Sequence, residues 1–280
     1  MNVLYCGDEH IEDGLIISIL SLLKNVKQEL HIYVLTISLN LGEKQNKGIS
    51  DLSIQILDER VKKQNSNNFV KKIDISELFN KNIPIQNMET RFTPFCMLRL
   101  FSDLLPELPE KLLYLDTDVI CRKDCIEFYN QDITNYELVG VLDYYGKWFF
   151  KKNLFKFDYI NSGVLLLNLQ KIKQTKLFER CREMCKTKKM FMPDQSAINK
   201  LSEMKKIEKR KYNEQRKLQK DTIFQHFTTS FRLFPWLHAL TIKPWQIDKV
   251  HNELKITEYD DILEEYTSII KNMKLVKEEV

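Results

Sequence analysis

The sequence predicts an α/β fold built on one mostly parallel sheet with helices on both faces. Three features predict it. Short apolar runs alternate with stretches of helical periodicity, the links between them are short, and acidic residues directly follow several strand-like runs. Val3–Cys6 is the first apolar run, with Asp8 just beyond it. Over Leu15–Leu23, residues Leu15, Ile16, Ile19, Leu22 and Leu23 recur at helical spacing. His31–Thr36 (HIYVLT) is rich in β-branched and aromatic residues and reads as the second strand. Ile49–Val61 is amphipathic, Phe69–Ile73 is strand-like, and Thr93–Leu105 is helix-like. Lys111–Leu115 is a strong strand running into Asp116, and Leu138–Leu142 a further one running into Asp143. Tyr159–Leu169 (YINSGVLLLNL) is apolar enough to be buried on both faces. A helix is expected over Gln170–Lys188, then a turn at Met192–Pro193 and a short helix from near Asp194.

The bulk composition bounds the possibilities. The 280 residues can bury a sizeable core, and 43% hydrophobic with 29% charged residues is the balance of an ordinary globular chain. With only seven glycines, neither the GxxxxGK[ST] nor the GxGxxG phosphate loop occurs. The net charge of +4 does not call for a nucleic-acid partner. Eight basic residues crowd into 202–220, but Glu203, Glu208 and Glu214 interleave with them, which favours a solvated connector over a membrane or nucleic-acid contact. No run approaches the roughly 18 apolar residues of a spanning helix. The start, Met1-Asn2-Val3-Leu4-Tyr5, lacks the basic residues and long apolar stretch of a secretory signal. A cytoplasmic protein is therefore expected. Cys121/Cys125 and Cys181/Cys185 are each spaced i, i+4 and invite a four-thiolate zinc site. Without CxxC knuckles, reduced and partly buried thiols are the favoured reading.

The chemistry concentrates in Leu112-Leu113-Tyr114-Leu115-Asp116-Thr117-Asp118. An apolar strand drives into two carboxylates one residue apart, and extended backbone would project both to the same side. Two unpaired carboxylates in a cleft repel and raise each other's pKa; a divalent cation removes the conflict. Oxygen ligands suit Mg²⁺ or Mn²⁺, and one added imidazole favours Mn²⁺. An isolated Asp-x-Asp also recurs in surface turns, so its surroundings decide the reading. In open α/β sheets ligands bind beyond the carboxyl ends of strands, where Asp8, Asp116, Asp118 and Asp143 are all expected.

LLYLDTDVI, then NSGVLLLNL, PDQSAIN, His226 in FQHF, and Lys243-Pro244-Trp245 occur in this order, and together they resemble glycosyltransferase family 8. The resemblance runs from Met1 to about Trp245. It implies a GT-A fold, here a catalytic domain over 1–250 with a helical extension over 251–280. It also implies a UDP-sugar donor, transfer with retention, and a carbohydrate or glycoconjugate acceptor such as a bacterial surface glycan. By position, the resemblance makes Asp116, Asp118 and His226 ligands of Mn²⁺ or Mg²⁺. It places Asp8 and His10 near the nucleoside and has Arg99, seventeen residues before Asp116, contact the donor. Asn161 and Ser162 match the pair touching the donor sugar, and Lys243 the grip on the diphosphate. Asp194 and Gln195 match the DQ pair that binds sugar hydroxyls and lies on the reacting face, and Asp143 resembles a residue lining the acceptor site.

Some positions depart from the family pattern. His226 and Lys243 stand seventeen residues apart, with Phe231-Arg232-Leu233-Phe234-Pro235-Trp236 in the gap. This insert is a candidate lid, acceptor groove or membrane-facing loop, and it makes His238 a rival metal ligand. Peripheral membrane contact through the insert and the basic segment is an open alternative. Bland readings stand beside the functional ones: Asp8 and Asp194 as helix caps, Arg99 as a surface helix residue, His226 as a structural histidine, and Trp148, Phe149 and Phe150 as packing. Competing functions are a nucleotidylyltransferase, for which Tyr5-Cys6-Gly7-Asp8-Glu9-His10 lacks the glycine-rich basic signature, and a catalytically silent sugar-nucleotide-binding protein.

Overall fold

A computed structural model describes residues 1–41, 44–88, 94–146, 158–232 and 238–278. Strand β1 (Asn2–Gly7) leads through a 3₁₀ turn (Glu9–Ile11) into α1 (Glu12–Asn25), then β2 (His31–Thr36) and the ribbon β3–β4 (Leu39–Leu41 and Lys44–Asn46). Next come α2 (Asp51–Gln64), β5 (Phe69–Asp74) and α3 (Ser76–Asn80). A 3₁₀ helix (Pro94–Leu104) precedes β6 (Lys111–Leu115), β7 (Val119–Cys121), α4 (Ile126–Asn130) and β8 (Leu138–Leu142). Strand β9 (Ile160–Asn168) is followed by α5 (Leu169–Thr175), α6 (Leu177–Thr187), α7 (Pro193–Leu201), β10 (Lys205–Glu208) and β11 (Phe224–His226). The chain ends with β12 (Ser230–Arg232), β13 (His238–Leu240), α8 (Ile247–Lys249) and α9 (Asp260–Glu278).

Seven strands form the main sheet in the order β10-β8-β9-β6-β1-β2-β5. All its pairings are parallel except those of β9, which runs antiparallel to both β6 and β8. Because side chains alternate along a strand, each strand feeds two cores. Val3 and Tyr5 of β1 and Leu113 and Leu115 of β6 face α1, α2 and α9. Leu4, Leu112 and Tyr114 face the 3₁₀ helix and α5–α7. This settles the cysteine question. Cys121 and Cys125 lie in the first core and Cys181 and Cys185 in the second, on opposite faces of the sheet, so four thiolates cannot share one ion.

Two expectations about helices need correction. The helix expected over Gln170–Lys188 is two helices, broken at Lys176, whose backbone is left-handed (φ 56°, ψ 30°) and whose N–H caps the carbonyls of Ile172 and Lys173. A non-glycine residue there costs about 1 kcal/mol, which no local sequence signal announces. Thr93 lies outside the described residues, and Pro94–Leu104 is wound as a 3₁₀ helix rather than an α-helix. A buried ion pair holds that segment to α6: Arg182 donates to the Asp103 carboxylate and to the Leu100 carbonyl.

The terminal segment packs on the same core as the rest. Tyr259, Ile262, Leu263, Tyr266 and Met273 are buried against it, each aliphatic side chain stabilising by about 1.5–3 kcal/mol. Lys24–Asp261 (2.6 Å) and Arg60–Glu265 tie α9 to α1 and α2. Among the described residues, no helix is long and apolar enough to cross a membrane.

Candidate active site

The parallel strands β1, β6 and β8 all end at one edge of the sheet, and the reversed strand β9 begins there. Asp8, Asp116, Asp143 and the Asn161-Ser162-Gly163 segment are thereby brought to one rim. The two carboxylates of Asp116 and Asp118 do converge, though not through extended backbone. Between β6 and β7 the chain turns, with the Val119 N–H donating to the Asp116 carbonyl (3.1 Å). His226 arrives from β11, which pairs antiparallel with β7 and sets His226 opposite Val119. Its Nε2 lies 3.2 Å from Asp118 Oδ1 and 3.7 Å from Asp116 Oδ2. One ligand atom from each of Asp116, Asp118 and His226 lies within 4.8 Å of the others, and among the described residues these three form a group that could hold a metal ion. Two hard carboxylate oxygens with one imidazole nitrogen suit Mn²⁺ or Mg²⁺.

Each member of the cluster is held by its neighbours. Asp116 Oδ1 accepts from the Tyr114 hydroxyl (2.7 Å) and Arg99 Nη2 (2.9 Å), which turns Oδ2 towards His226. Lys243, from the turn before α8, donates to Asp118 Oδ2 and to the Phe227 carbonyl. Burial alone would raise the Asp118 carboxyl. The Lys243 ammonium and His226 overcome that and hold it well below the usual carboxylate range. Gly14 lets the start of α1 approach this turn; a Cβ there would stand 2.7 Å from both the Thr117 carbonyl oxygen and the Trp245 ring.

Arg99 is not a surface residue. It is only 3% exposed, lies with its guanidinium 4.0 Å from the centre of the Tyr114 ring, and bridges Asp116 to Asp194 (Nε to Oδ2 3.2 Å) while donating to the Ser162 carbonyl. Burial pushes the Asp194 carboxyl up, and Arg99 pulls it back. Replacing Arg99 by Met would leave two carboxylates without their buried counter-charge. A stability loss of about 3–5 kcal/mol is expected, read as a lower urea midpoint at unchanged slope.

Asp194 does not cap its helix. Met192 holds that position, Pro193 opens α7, and Asp194 and Gln195 both point inward and are buried. Gln195 Oε1 accepts from the Ser162 N–H (2.9 Å), while its Nε2 donates to Asp143 Oδ2 (3.2 Å). Asp143 also accepts from Asn161 Nδ2 (3.1 Å) and, through Oδ1, from the Tyr145 and Gly146 amides. Ten of the expected site residues thus form one connected network. Asp8 and His10 stand apart from it. Asp8 caps the 3₁₀ turn and binds His10 Nδ1 (2.9 Å) and Asn46 Nδ2 (3.2 Å), so the cap reading holds at least structurally. The hydrogen bond to Asp8 raises the pKa of the His10 ring, whose side chain is 68% exposed on the rim.

Three residues of the site were not singled out from sequence. Tyr114 had a signal, since it shares its strand face with Asp116. Gly163 sits inside the quoted NSG, but the closeness of β11 could not be foreseen. Asn213, buried within the basic segment, had none. Of the eight basic residues in that segment, four face carboxylates: Lys205–Asp158 (3.8 Å), Lys206–Glu208 (2.9 Å), Arg210–Glu214 and Lys211–Glu127 (3.3 Å). Trp148, Phe149, Phe150 and residues 233–237 of the insert lie outside the described residues; His238 is on β13, paired opposite Arg232.

The sheet order, the reversed strand and the acidic edge at the strand ends define a GT-A fold, that of nucleotide-diphospho-sugar transferases. Its solved counterparts include the galactosyltransferase LgtC, crystallised with donor and acceptor sugar analogs. LgtC is 17% identical with a TM-score of 0.67, covering 97% of this chain and 96% of that one. The glycosyltransferase GlyE of Streptococcus pneumoniae TIGR4 is 16% identical with a TM-score of 0.63, covering 95% and 64%. The glycosyl transferase family 8 model matches residues 2–248, and the chain belongs to that family. A putative glycosyltransferase of Haemophilus influenzae is 27% identical over 187 residues, 64% of this chain and 52% of that protein. The probable glycosyl transferase Gly of Streptococcus gordonii is 31% identical over 127 residues, 44% of this chain and 18% of that protein. The match therefore spans about half the length of the first relative and less of the second.

Proposed function

We propose that the chain transfers a hexose, glucose or galactose, from a UDP-sugar to a glycan or glycoconjugate acceptor with retention of configuration. The observation that carries this reading is the convergence of Asp116, Asp118 and His226 within 4.8 Å beside the Lys243 ammonium. Such a site accepts a diphosphate. When bound, Mn²⁺ or Mg²⁺ would offset the charge that develops on the leaving UDP. Lys243 would leave Asp118 for a phosphate oxygen and add to that stabilisation. Asp194 and Ser162 offer acceptors and a donor to the hexose hydroxyls, and Asp8 with His10 would meet the nucleoside at the end of β1. Asp143 would line the acceptor side. The galactosyltransferase LgtC, with donor and acceptor analogs bound together, supports a two-substrate site of this kind.

The surroundings of Gln195 favour attack from the front face. Its carbonyl oxygen is engaged by the Ser162 N–H, and an amide is in any case a weak nucleophile, so a covalent intermediate on Gln195 is disfavoured. Asp194 is ion-paired to Arg99 rather than free. The acceptor hydroxyl would attack as the glycosidic C–O bond breaks through an oxocarbenium-like state, passing its proton to the departing phosphate. Capture of a glycosylated wild-type enzyme would overturn this order of events. For location we propose the cytoplasm; binding of the protein to anionic vesicles at low salt would add a peripheral membrane contact.

The test is UDP release from a panel of UDP-sugars with Mn²⁺ and with EDTA. One donor should be hydrolysed slowly, and only with metal. UDP that raises the melting temperature with Mn²⁺ but is never produced would point to a sugar-nucleotide-binding protein. The absence of any metal-dependent effect of UDP would defeat the proposal.

A further inference from the structure

Whether His226 can bind a cation depends on which ring nitrogen carries the proton, and the buried hydrogen bonds behind it decide this. The chain of reasoning starts from a backbone N–H, whose polarity is fixed. The Gly163 amide donates to the side chain of Asn161 (2.9 Å), so the atom facing it is the oxygen Oδ1. The same Oδ1 lies 2.9 Å from the side chain of Asn213, so the Asn213 atom facing it is the donor Nδ2. The other end of that amide is then the acceptor Oδ1, and it faces His226 Nδ1 at 3.2 Å. Nδ1 must therefore carry a proton, so the ring nitrogen that faces Asp116 and Asp118, and that can take a cation in place of its own proton, is Nε2. The far end of Asn161 agrees, since its Nδ2 donates to the Asp143 carboxylate (3.1 Å). All three side chains are buried, with Asn213 wholly so, and bulk water is therefore kept from reorienting the amides.

We infer that Asn213 is a positioning residue that, through Asn161, fixes the tautomer and ring orientation of His226 so that Nε2 faces the cation site. The inference rests on the proposed metal site for its consequence but not for its geometry. Outer partners of this kind set the direction and basicity of a ligating imidazole, and their loss typically weakens metal binding by about 10–100-fold. Nothing in the local sequence marks Asn213. It belongs to a run of three buried polar residues, Asn213, Glu214 and Gln215, inside the basic segment. The Glu214 N–H donates to the Phe224 carbonyl (2.9 Å), its carbonyl accepts from the His226 N–H (2.9 Å), and Gln215 Nε2 donates to the Leu142 carbonyl (3.1 Å); these bonds hold the run against β11 and β8.

Two readouts test the inference. In metal-free protein, ¹⁵N NMR of the histidines, with His226 assigned from a His226→Gln variant, should show Nδ1 protonated in wild type. Asn213→Leu should show a mixture or the Nε2–H form. Titration of Mn²⁺ alone, followed by the loss of its free EPR signal, should give a Kd about 10–100-fold weaker for Asn213→Leu. Asn213→Asp, which keeps an acceptor for Nδ1–H, should keep Nδ1 protonated and lose less Mn²⁺ affinity than Asn213→Leu. A wild-type His226 whose Nδ1 is bare would overturn the inference, as would an Asn213→Leu protein with wild-type Nδ1 protonation and Mn²⁺ affinity. If Asn213→Leu does not fold, the wild-type tautomer and the Asn213→Asp titration still decide. If wild type binds no Mn²⁺, the proposed metal site fails, and the tautomer readout alone judges Asn213.

Discussion

Asn in place of Asp118 is expected to lower metal-dependent UDP release by at least about 100-fold, the scale on which single electrostatic stabilisers of a leaving group act. The substitution keeps the shape and removes a charged oxygen 3.2 Å from His226 Nε2. It also releases Lys243, whose ammonium rests on this carboxylate. The two effects separate in binding. UDP should bind more weakly with Mn²⁺, yet no more weakly in EDTA, because Lys243 is freed and a repelling carboxylate is gone. Calorimetric titration of UDP in both conditions checks this, and equal losses in the two would count against the assignment of Lys243. Acid stability offers a second check. The folded carboxyl is depressed, so its contribution is present above the unfolded value, about pH 4, and is lost as pH falls towards the lower folded value. Metal-free wild type should therefore lose stability below about pH 4 more steeply than Asp118→Asn.

Ala in place of Gly163 is expected to disable the site while changing only one methyl group. A Cβ at this position would stand 2.1 Å from His226 Cε1, 2.7 Å from Nδ1 and 2.8 Å from Asp116 Oδ2. None of these neighbours can yield freely, since His226 is a buried strand residue and Asp116 is pinned by Tyr114 and Arg99. Overpacking costs about 1–3 kcal/mol, and displacing two ligands should weaken Mn²⁺ binding at least about tenfold. Gly140→Ala is the control. Its Cβ would meet the ends of Ile160 and Leu165 at 3.0 Å, away from the cluster, so it should lower the melting temperature with little change in Mn²⁺ affinity. Wild-type Mn²⁺ affinity in Gly163→Ala would sink the claim that the ring and the carboxylate need that space.

Much of this was legible in the sequence because it depends on short-range pattern. The parallel strands β1, β2, β5 and β6 were visible as apolar runs, and Asp116 and Asp118 were visible because an apolar strand ends in them. The direction of β9 was not. Its nine residues are buried on both faces, and burial leaves the same apolar pattern in either direction. Nor was the break at Lys176, where tertiary packing imposes a left-handed residue without glycine. The turn that aims Asp118 was mistaken for extended backbone, since both geometries bring residues i and i+2 near each other. Arg99 was visible by its spacing from Asp116, but its bridging of Asp116 and Asp194 depends on two segments meeting across the fold. Asn213 stayed hidden for the same reason: its partners Asn161 and His226 are distant in sequence, and its neighbours are lysines and arginines.

The cluster also joins residues of two different sheets. Asp116 extends from β6 of the main sheet, whereas His226 belongs to the separate two-stranded sheet β7–β11. The two residues are 110 positions apart in the chain (226 − 116). An ion held by both would bind the folded chain and not the unfolded one, and so would stabilise the fold by mass action. At 100 times its dissociation constant it would add about 2.7 kcal/mol to the folded state. Supply of the ion would then govern endurance as well as turnover.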